Sequence, residues 1–226
     1  PLEWSTTWYH SFFQNRQLID ATLNSLGIAV VTTVVASILG TAASLALFRY
    51  EFRGKKLLQA MLLPPIAIPW LITGTAMLIF FFGIGIGRGL HAIILGHVAL
   101  ALPYVMVVVN ARLKTFSPEL EEAARLEGAS QFDIFWRVYL PLGAPGIAVS
   151  SIFGFIFSWN ELLYALVLTR RDVQTAPVVA TSFMSGYELP WGKIMATGTV
   201  IVLPVTVFAL LVSRHMVRGL TMGATK

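Results

Sequence analysis

Residues 26–48 read LGIAVVTTVVASILGTAASLALF, twenty-three positions without a charged side chain. Coiled as an α-helix, such a run is about 34 Å long, enough to cross a hydrocarbon layer roughly 30 Å thick. Four more stretches, 57–82, 90–111, 145–168 and 194–212, have comparable length and apolarity. Strands of a membrane barrel would be short and alternating, and that pattern is absent, so the expected fold is all-α with five visible spans. Composition agrees: 56% of residues are hydrophobic, 12% are charged and the mean hydropathy is +0.75, far from an ordinary soluble domain. With no cysteine in the chain, neither disulfides nor thiolate metal sites enter the reading.

The net charge of +5 calls for a positional reading, because membrane proteins concentrate Lys and Arg on the cytoplasmic side, and no nucleic-acid partner need be invoked. Alternate connections divide the basic residues eleven to five. The richer side holds Arg49, Arg53, Lys55 and Lys56, then Arg112, Lys114, Arg125 and Arg137, then Arg214, Arg218 and Lys226. The poorer side holds Arg16, Arg88, Arg170, Arg171 and Lys193. This orients the segment around Glu121 and the C-terminus toward the cytoplasm, with the N-terminal stretch outside. That stretch lacks a signal-peptide pattern, which leaves two explanations: a further span upstream, or translocation of the tail by the first visible span. Its Trp4, Trp8, Tyr9, Phe12 and Phe13 suit an interfacial helix in contact with lipid. No long linker or repeat interrupts residues 1–226, which are expected to form a single membrane domain.

One segment is conspicuously polar. In EEAARLEGASQFDIFWRVYLP, residues 121–141, the punctuation describes two short helices and a bend. Ser117 is a suitable N-cap with Pro118 behind it and Glu119, Glu121 and Glu122 at the positive dipole end, and Gly128 stops the helix. Ser130 caps a second helix, Asp133 completes a capping box, and Phe132, Phe135 and Trp136 fall on one side. Ala123, Ala124 and Ala129 permit close approach of another backbone. Such a hairpin either lies on the membrane surface or docks on a protein, and three glutamates in the first turns favour the protein.

Glu122-Ala123-Ala124, three residues, Gly128, nine residues, then Val138-Tyr139-Leu140-Pro141 resembles the EAA loop of bacterial ATP-binding-cassette importer permeases. That pattern is EAA, three residues, G, nine residues, I-x-L-P, and Val138 in place of Ile is the one departure. The resemblance covers essentially the whole chain and implies a type I importer permease fold lacking its first span, with residues 112–141 as the coupling loop. It implies that Glu121, Glu122, Ala123, Ala124, Gly128, Leu140 and Pro141 couple the chain to an ATPase subunit. It also implies the partners: a second, homologous permease subunit, two ATPase subunits that hold ATP and Mg, and an extracytoplasmic solute-binding protein. The location implied is the bacterial inner membrane, and the chain itself carries no cofactor and no enzymatic activity. Ser158-Trp159-Asn160-Glu161-Leu162 and Gly219–Ala224 look like the maltose-type carbohydrate permeases, whereas residues 57–69 and Leu102-Pro103-Tyr104 also resemble polyamine and iron permeases.

Other residues carry two readings each. Asn160 and Glu161 either line a translocation path or gate, or make a structural hydrogen bond to a neighbouring helix or subunit. Pro64, Pro65 and Pro69 break the second span beside a solute route or for packing alone. Tyr187 and Glu188, in the connection 170–190, contact the binding protein, or the connection only anchors the last span. GIGIGRG, residues 83–89, matches neither dinucleotide nor P-loop spacing and reads as a tight turn. His91 and His97 are spaced wrongly for a metal, and no nucleophile with a base is present. An ion-coupled secondary transporter would place ionisable groups or ion-ligating broken helices near the midplane, where these spans are almost charge-free.

Overall fold

The computed structural model describes residues 5–62, 67–117, 119–184 and 189–221. In chain order its helices are α1 (Thr7–Gln14), α2 (Arg16–Arg49), α3 (Lys55–Leu62), α4 (Trp70–Gly83), α5 (Leu90–Leu113), α6 (Glu119–Leu126), α7 (Gln131–Ile134), α8 (Leu140–Asn160), α9 (Leu163–Leu168), α10 (Ala176–Ser182) and α11 (Trp191–Thr221). A π-helical turn, Phe135–Tyr139, joins α7 to α8.

Five complete spans were expected, and the structure corrects that number. Among the described residues three helices are long and apolar enough to cross a bilayer: Arg16–Leu47, Leu90–Leu113 and Gln131–Asn160. The second expected span is divided, because the described residues Ala67, Ile68 and Pro69 are not helical and α4 does not begin until Trp70. Pro69 stands at the N-cap of α4 with φ −54° and ψ 130°, offers no N–H, and holds the backbone extended. The 14 residues of α4 reach only about 21 Å at 1.5 Å per residue. The fourth span starts earlier than residue 145 and ends at Asn160, with α9 a separate turn. In the fifth, the described apolar stretch is Trp191–Val207, again among the shorter apolar helices.

The chain separates into two compact units, and each of the three long helices contributes a segment to both. The first unit contains Pro1–Thr32, Pro69–His97 and Phe155–Lys226. In it Phe12, Leu18, Ala21 and Val179 bury one another, with Phe183 and Val200 against them. Phe12 is the inward face of α1, while Trp8, Tyr9 and Phe13 remain exposed; Trp4 lies outside the described residues. Polar ties supplement this packing: the Ala176 N–H donates to Ser25 Oγ at 2.9 Å, and the Trp159 indole N–H to the Ile201 carbonyl at 2.9 Å. Among the described residues of 170–190, α10 buries Ala176, Val178 and Val179.

The second unit contains Thr33–Ile68 and Val98–Gly154. Its core joins Ala36 and Leu45 of α2, Ala101, Val105, Val109 and Leu113 of α5, and Ile134 and Tyr139. Gly40 lets α2 and α5 approach closely, as a Cβ placed there would stand 2.6 Å from Val105. Ser37 and Ser151 share a hydrogen bond of 2.7 Å, which satisfies both hydroxyls in apolar surroundings.

Candidate functional site

The segment from Ser117 to Pro141 folds as the two-helix hairpin its punctuation describes. The Glu119 N–H donates to Ser117 Oγ at 3.3 Å, and acidic Glu119, Glu121 and Glu122 occupy the first turn of α6. At the other end, the Ala129 N–H bonds the Ala124 carbonyl at 3.0 Å and the Gly128 N–H the Arg125 carbonyl at 3.0 Å. That pair of bonds is a Schellman motif, and Gly128 holds the left-handed position at φ +83°. A Cβ on Gly128 would meet nothing within 4 Å, so its requirement is the backbone angle and not space. Ser130 and Asp133 form the reciprocal capping box of α7. The Leu140 N–H then bonds the Phe135 carbonyl across the π-helical turn.

The hairpin has two unlike faces. Glu122, Ala123, Leu126, Phe132, Trp136 and Pro141 are exposed, with Leu126 at 89% and Phe132 at 70%. Phe132 and Trp136 meet edge to face at 6.0 Å between centroids, forming a standing aromatic ridge. On the opposite face Ala124, Ala129, Phe135 and Val138 pack on the core cluster, and Leu140 is half-buried. The small residues Ala124 and Ala129 therefore admit the chain's own helices, and Ala123 alone of the three alanines faces out.

Glu121 and Glu122, adjacent in sequence, have opposite fates. Glu121 is buried: it lies 3.3 Å from the Arg49 guanidinium and 2.5 Å from that of Arg125, and accepts a hydrogen bond from the Tyr139 hydroxyl. The Arg49 guanidinium also sits 5.0 Å from the centre of the Tyr139 ring. Glu122 points away and has no ion pair among the described residues. Nothing in local sequence pattern announces the Arg49 and Tyr139 partnership, since the three residues come from different elements.

Glu161 is 4% exposed and receives three N–H groups. The Tyr164 and Ala165 amides donate at 2.8 and 3.0 Å, and His97 Nε2 lies 3.1 Å away. His97, with no exposed surface, bonds Ser158 Oγ through Nδ1 at 2.7 Å, and the Tyr164 hydroxyl bonds Thr73 at 2.5 Å. Glu161 thus supplies acceptors where the helix breaks between α8 and α9. The available signal was a His well inside the apolar run 90–111 and a lone Glu in the run 145–168, each needing a partner. Asn160 is exposed, donating to the Ile156 carbonyl at 2.9 Å, and Pro69 is exposed at the start of α4. Pro64, Pro65, Pro118, Tyr187 and Glu188 lie outside the described residues. Among the described residues no group of three or more His, Cys, Asp or Glu could hold a metal.

The chain belongs to the family described as "Binding-protein-dependent transport system inner membrane component", whose model matches residues 33–222. It is 38% identical over 221 residues to the "Trehalose transport system permease protein SugB" of Mycobacterium tuberculosis (strain CDC 1551 / Oshkosh), covering 96% of this chain and 81% of that one. It is 30% identical over 221 residues to the "Spermidine/putrescine transport system permease protein PotC" of Escherichia coli (strain K12), covering 98% and 83%. Among solved structures, a bacterial ABC transporter involved in the import of the acidic polysaccharide alginate matches with TM-score 0.78 at 18% identity, over 97% of this chain and 85% of that one. The MetNI methionine ABC transporter in an inward-facing form matches with TM-score 0.74 at 19% identity, over 89% and 95%. The fold is that of importer permeases, and the chain is a multi-pass membrane component and not an enzyme.

Proposed function

We propose that this chain forms half of the solute path of an ATP-driven, binding-protein-dependent importer, with a carbohydrate as cargo. The observation that carries the proposal is the hairpin: its inner face is fastened to α2 and α5, while its outer face offers Glu122, Ala123, Leu126 and the Phe132–Trp136 ridge to a protein. An ATPase subunit with a cleft for that ridge is the partner this surface suits. Residues 112–141 act as the coupling loop, and the charge asymmetry of the connections supports a cytoplasmic position for that loop and the C-terminus.

ATP and Mg bind in two ATPase subunits, whose closure draws this hairpin and that of a second, homologous permease together. The spans then open outward, toward a solute-binding protein that delivers cargo. Tyr187 and Glu188 are the proposed contact with that protein, and Pro69 with Asn160 the proposed border of the path. Carbohydrate is favoured by the trehalose permease at 38% identity and by the "Diacetylchitobiose uptake system permease protein DasC" of Streptomyces coelicolor (strain ATCC BAA-471 / A3(2) / M145) at 32%. Polyamine is the second reading, on the strength of the spermidine/putrescine permease at 30%.

A cysteine at Glu122, unique in this cysteine-free chain, should crosslink to a cysteine in the ATPase cleft with a yield that changes on adding nucleotide. If no position from Glu119 to Ala129 crosslinks, the coupling assignment is wrong. Calorimetric titration of the cognate binding protein with trehalose and with spermidine decides between the cargoes.

A further inference from the structure

We infer that Arg49 is a positioning residue for transport, the point at which α2 grips the hairpin so that α6, the start of α8 and the end of α2 move as one body. The inference rests on the coupling reading above and assigns the internal side of that coupling, which the exposed face does not specify.

The hairpin could not hold its own shape. Helices of eight and four residues are too short to persist alone, so tertiary contacts must orient them. Apolar packing through Ile134, Phe135 and Tyr139 provides part of this, but apolar contact is tolerant of sliding. The Arg49 contacts are directional. Its guanidinium meets the Glu121 carboxylate at 3.3 Å and covers the Tyr139 ring, while the Tyr139 hydroxyl donates to the same carboxylate. Three elements close on one carboxylate, and each contact fixes the angle of the others.

Burial and helix polarity distinguish this pair from its neighbours. The Arg49 and Glu121 side chains are 15% and 11% exposed, whereas Arg125, the other cation on Glu121, is 48% exposed and belongs to α6 itself. The Arg125 pair strengthens one helix, and the Arg49 pair joins two. Arg49 stands in the last turn of α2 and Glu121 in the first turn of α6, so each charge occupies the helix end whose dipole favours it. A second tie runs in parallel, the Tyr50 hydroxyl donating to Gln131 Oε1 of α7 at 3.1 Å. Both halves of the hairpin are thus bonded to consecutive residues, Arg49 and Tyr50. An apolar pair of equal volume would be as stable or more so, which makes orientation the property that a buried ion pair adds here.

The test uses the complete complex, with its ATPase subunits and binding protein, in proteoliposomes. Arg49→Gln should retain the Glu122→Cys crosslink to the ATPase and binding-protein-stimulated hydrolysis, while solute imported per ATP falls about tenfold. Glu121→Gln should do the same, and the double variant should be no worse than either single, as expected of two residues in one contact. Parental import per ATP in Arg49→Gln overturns the inference. Should Arg49→Gln fail to assemble, Arg49→Cys/Glu121→Cys bridged by a short bis-methanethiosulfonate reagent, each thiolate displacing methanesulfinate, replaces the grip covalently and should restore import per ATP. Loss of import on bridging would mean that the two helices part during the cycle, and would equally overturn it. Absence of the Glu122→Cys crosslink in an otherwise parental chain instead refutes the coupling reading.

Discussion

Replacing Glu161 by alanine removes every acceptor that its carboxylate offers at the break between α8 and α9. The Tyr164 and Ala165 amides, at 2.8 and 3.0 Å, would be left without partners in a site 4% exposed, as would the imidazole N–H of the fully buried His97. Each orphaned buried donor costs about 1–3 kcal/mol, and breaking a buried pair from one side typically about 3–5 kcal/mol. These donors share one carboxylate, so their losses do not add, and about 3–5 kcal/mol is the expected total. Glu161→Gln keeps the volume and one carbonyl acceptor and should lose roughly 1–2 kcal/mol. For a chain of this size each kcal/mol shifts the melting temperature by about 2–4 °C. Thermal unfolding of the purified complex in one fixed detergent, followed by tryptophan fluorescence, should therefore place Glu161→Ala about 10 °C below the parent and Glu161→Gln between them. An alanine variant melting within about 2 °C of the parent would refute the argument, since it would mean that the three donors find other partners or were never dependent on this one.

Three further outcomes are expected. Gly128→Val, forced to φ +83° in open space, should cost about 1–3 kcal/mol and depress uptake with normal membrane insertion, while Gly128→Asn is milder; normal uptake by the valine variant would sink the requirement for a left-handed residue. Gly192→Leu should undock α1, because even a Cβ there would stand 2.2 Å from the Trp8 indole; protease cleavage near residues 5–15 should quicken and be reversed by adding Trp8→Ala. Phe132→Ala/Trp136→Ala should lower co-purification of the ATPase subunit severalfold with the chain's own melting temperature unchanged, since both rings are exposed.

Local chemistry explains what was readable in the sequence. The hairpin was legible because N-caps, a capping box and a left-handed glycine act within four residues of themselves, and Ser117, Gly128, Ser130 and Asp133 all behave as their types demand. Long charge-free runs likewise identified α2 and α5. The divided second span was less legible, because mean apolarity across 57–82 conceals a backbone that Pro69 holds extended. Least legible were the partnerships of Arg49 with Glu121 and of His97 with Glu161, in which distant elements meet. A hydropathy pattern reports which side chains avoid water, whereas these contacts depend on which helices adjoin, and that is a property of the assembled chain. The alanines show the same limit: small residues announce close approach without naming what approaches.

The π-helical turn at Phe135–Tyr139 bears on how sequences of this kind are aligned. Ile134 and Tyr139 are five residues apart and both buried in one cluster, although regular α-helical spacing would set them about 140° apart around the axis. A turn closed by i→i+5 bonds brings residues five apart onto one side. The chain there holds in effect one residue more than an unbroken helix would, and the surplus resets the phase for everything after it. Removing any one residue between Phe135 and Tyr139 would leave the composition of the segment almost untouched and close the turn into a regular α-helix, with the residues beyond it on the faces they hold now. In an alignment of related chains, a gap of one in this turn is therefore the loss of a bulge and not a change of face, whereas a periodicity wheel drawn continuously through 131–160 assigns the far half to the wrong face.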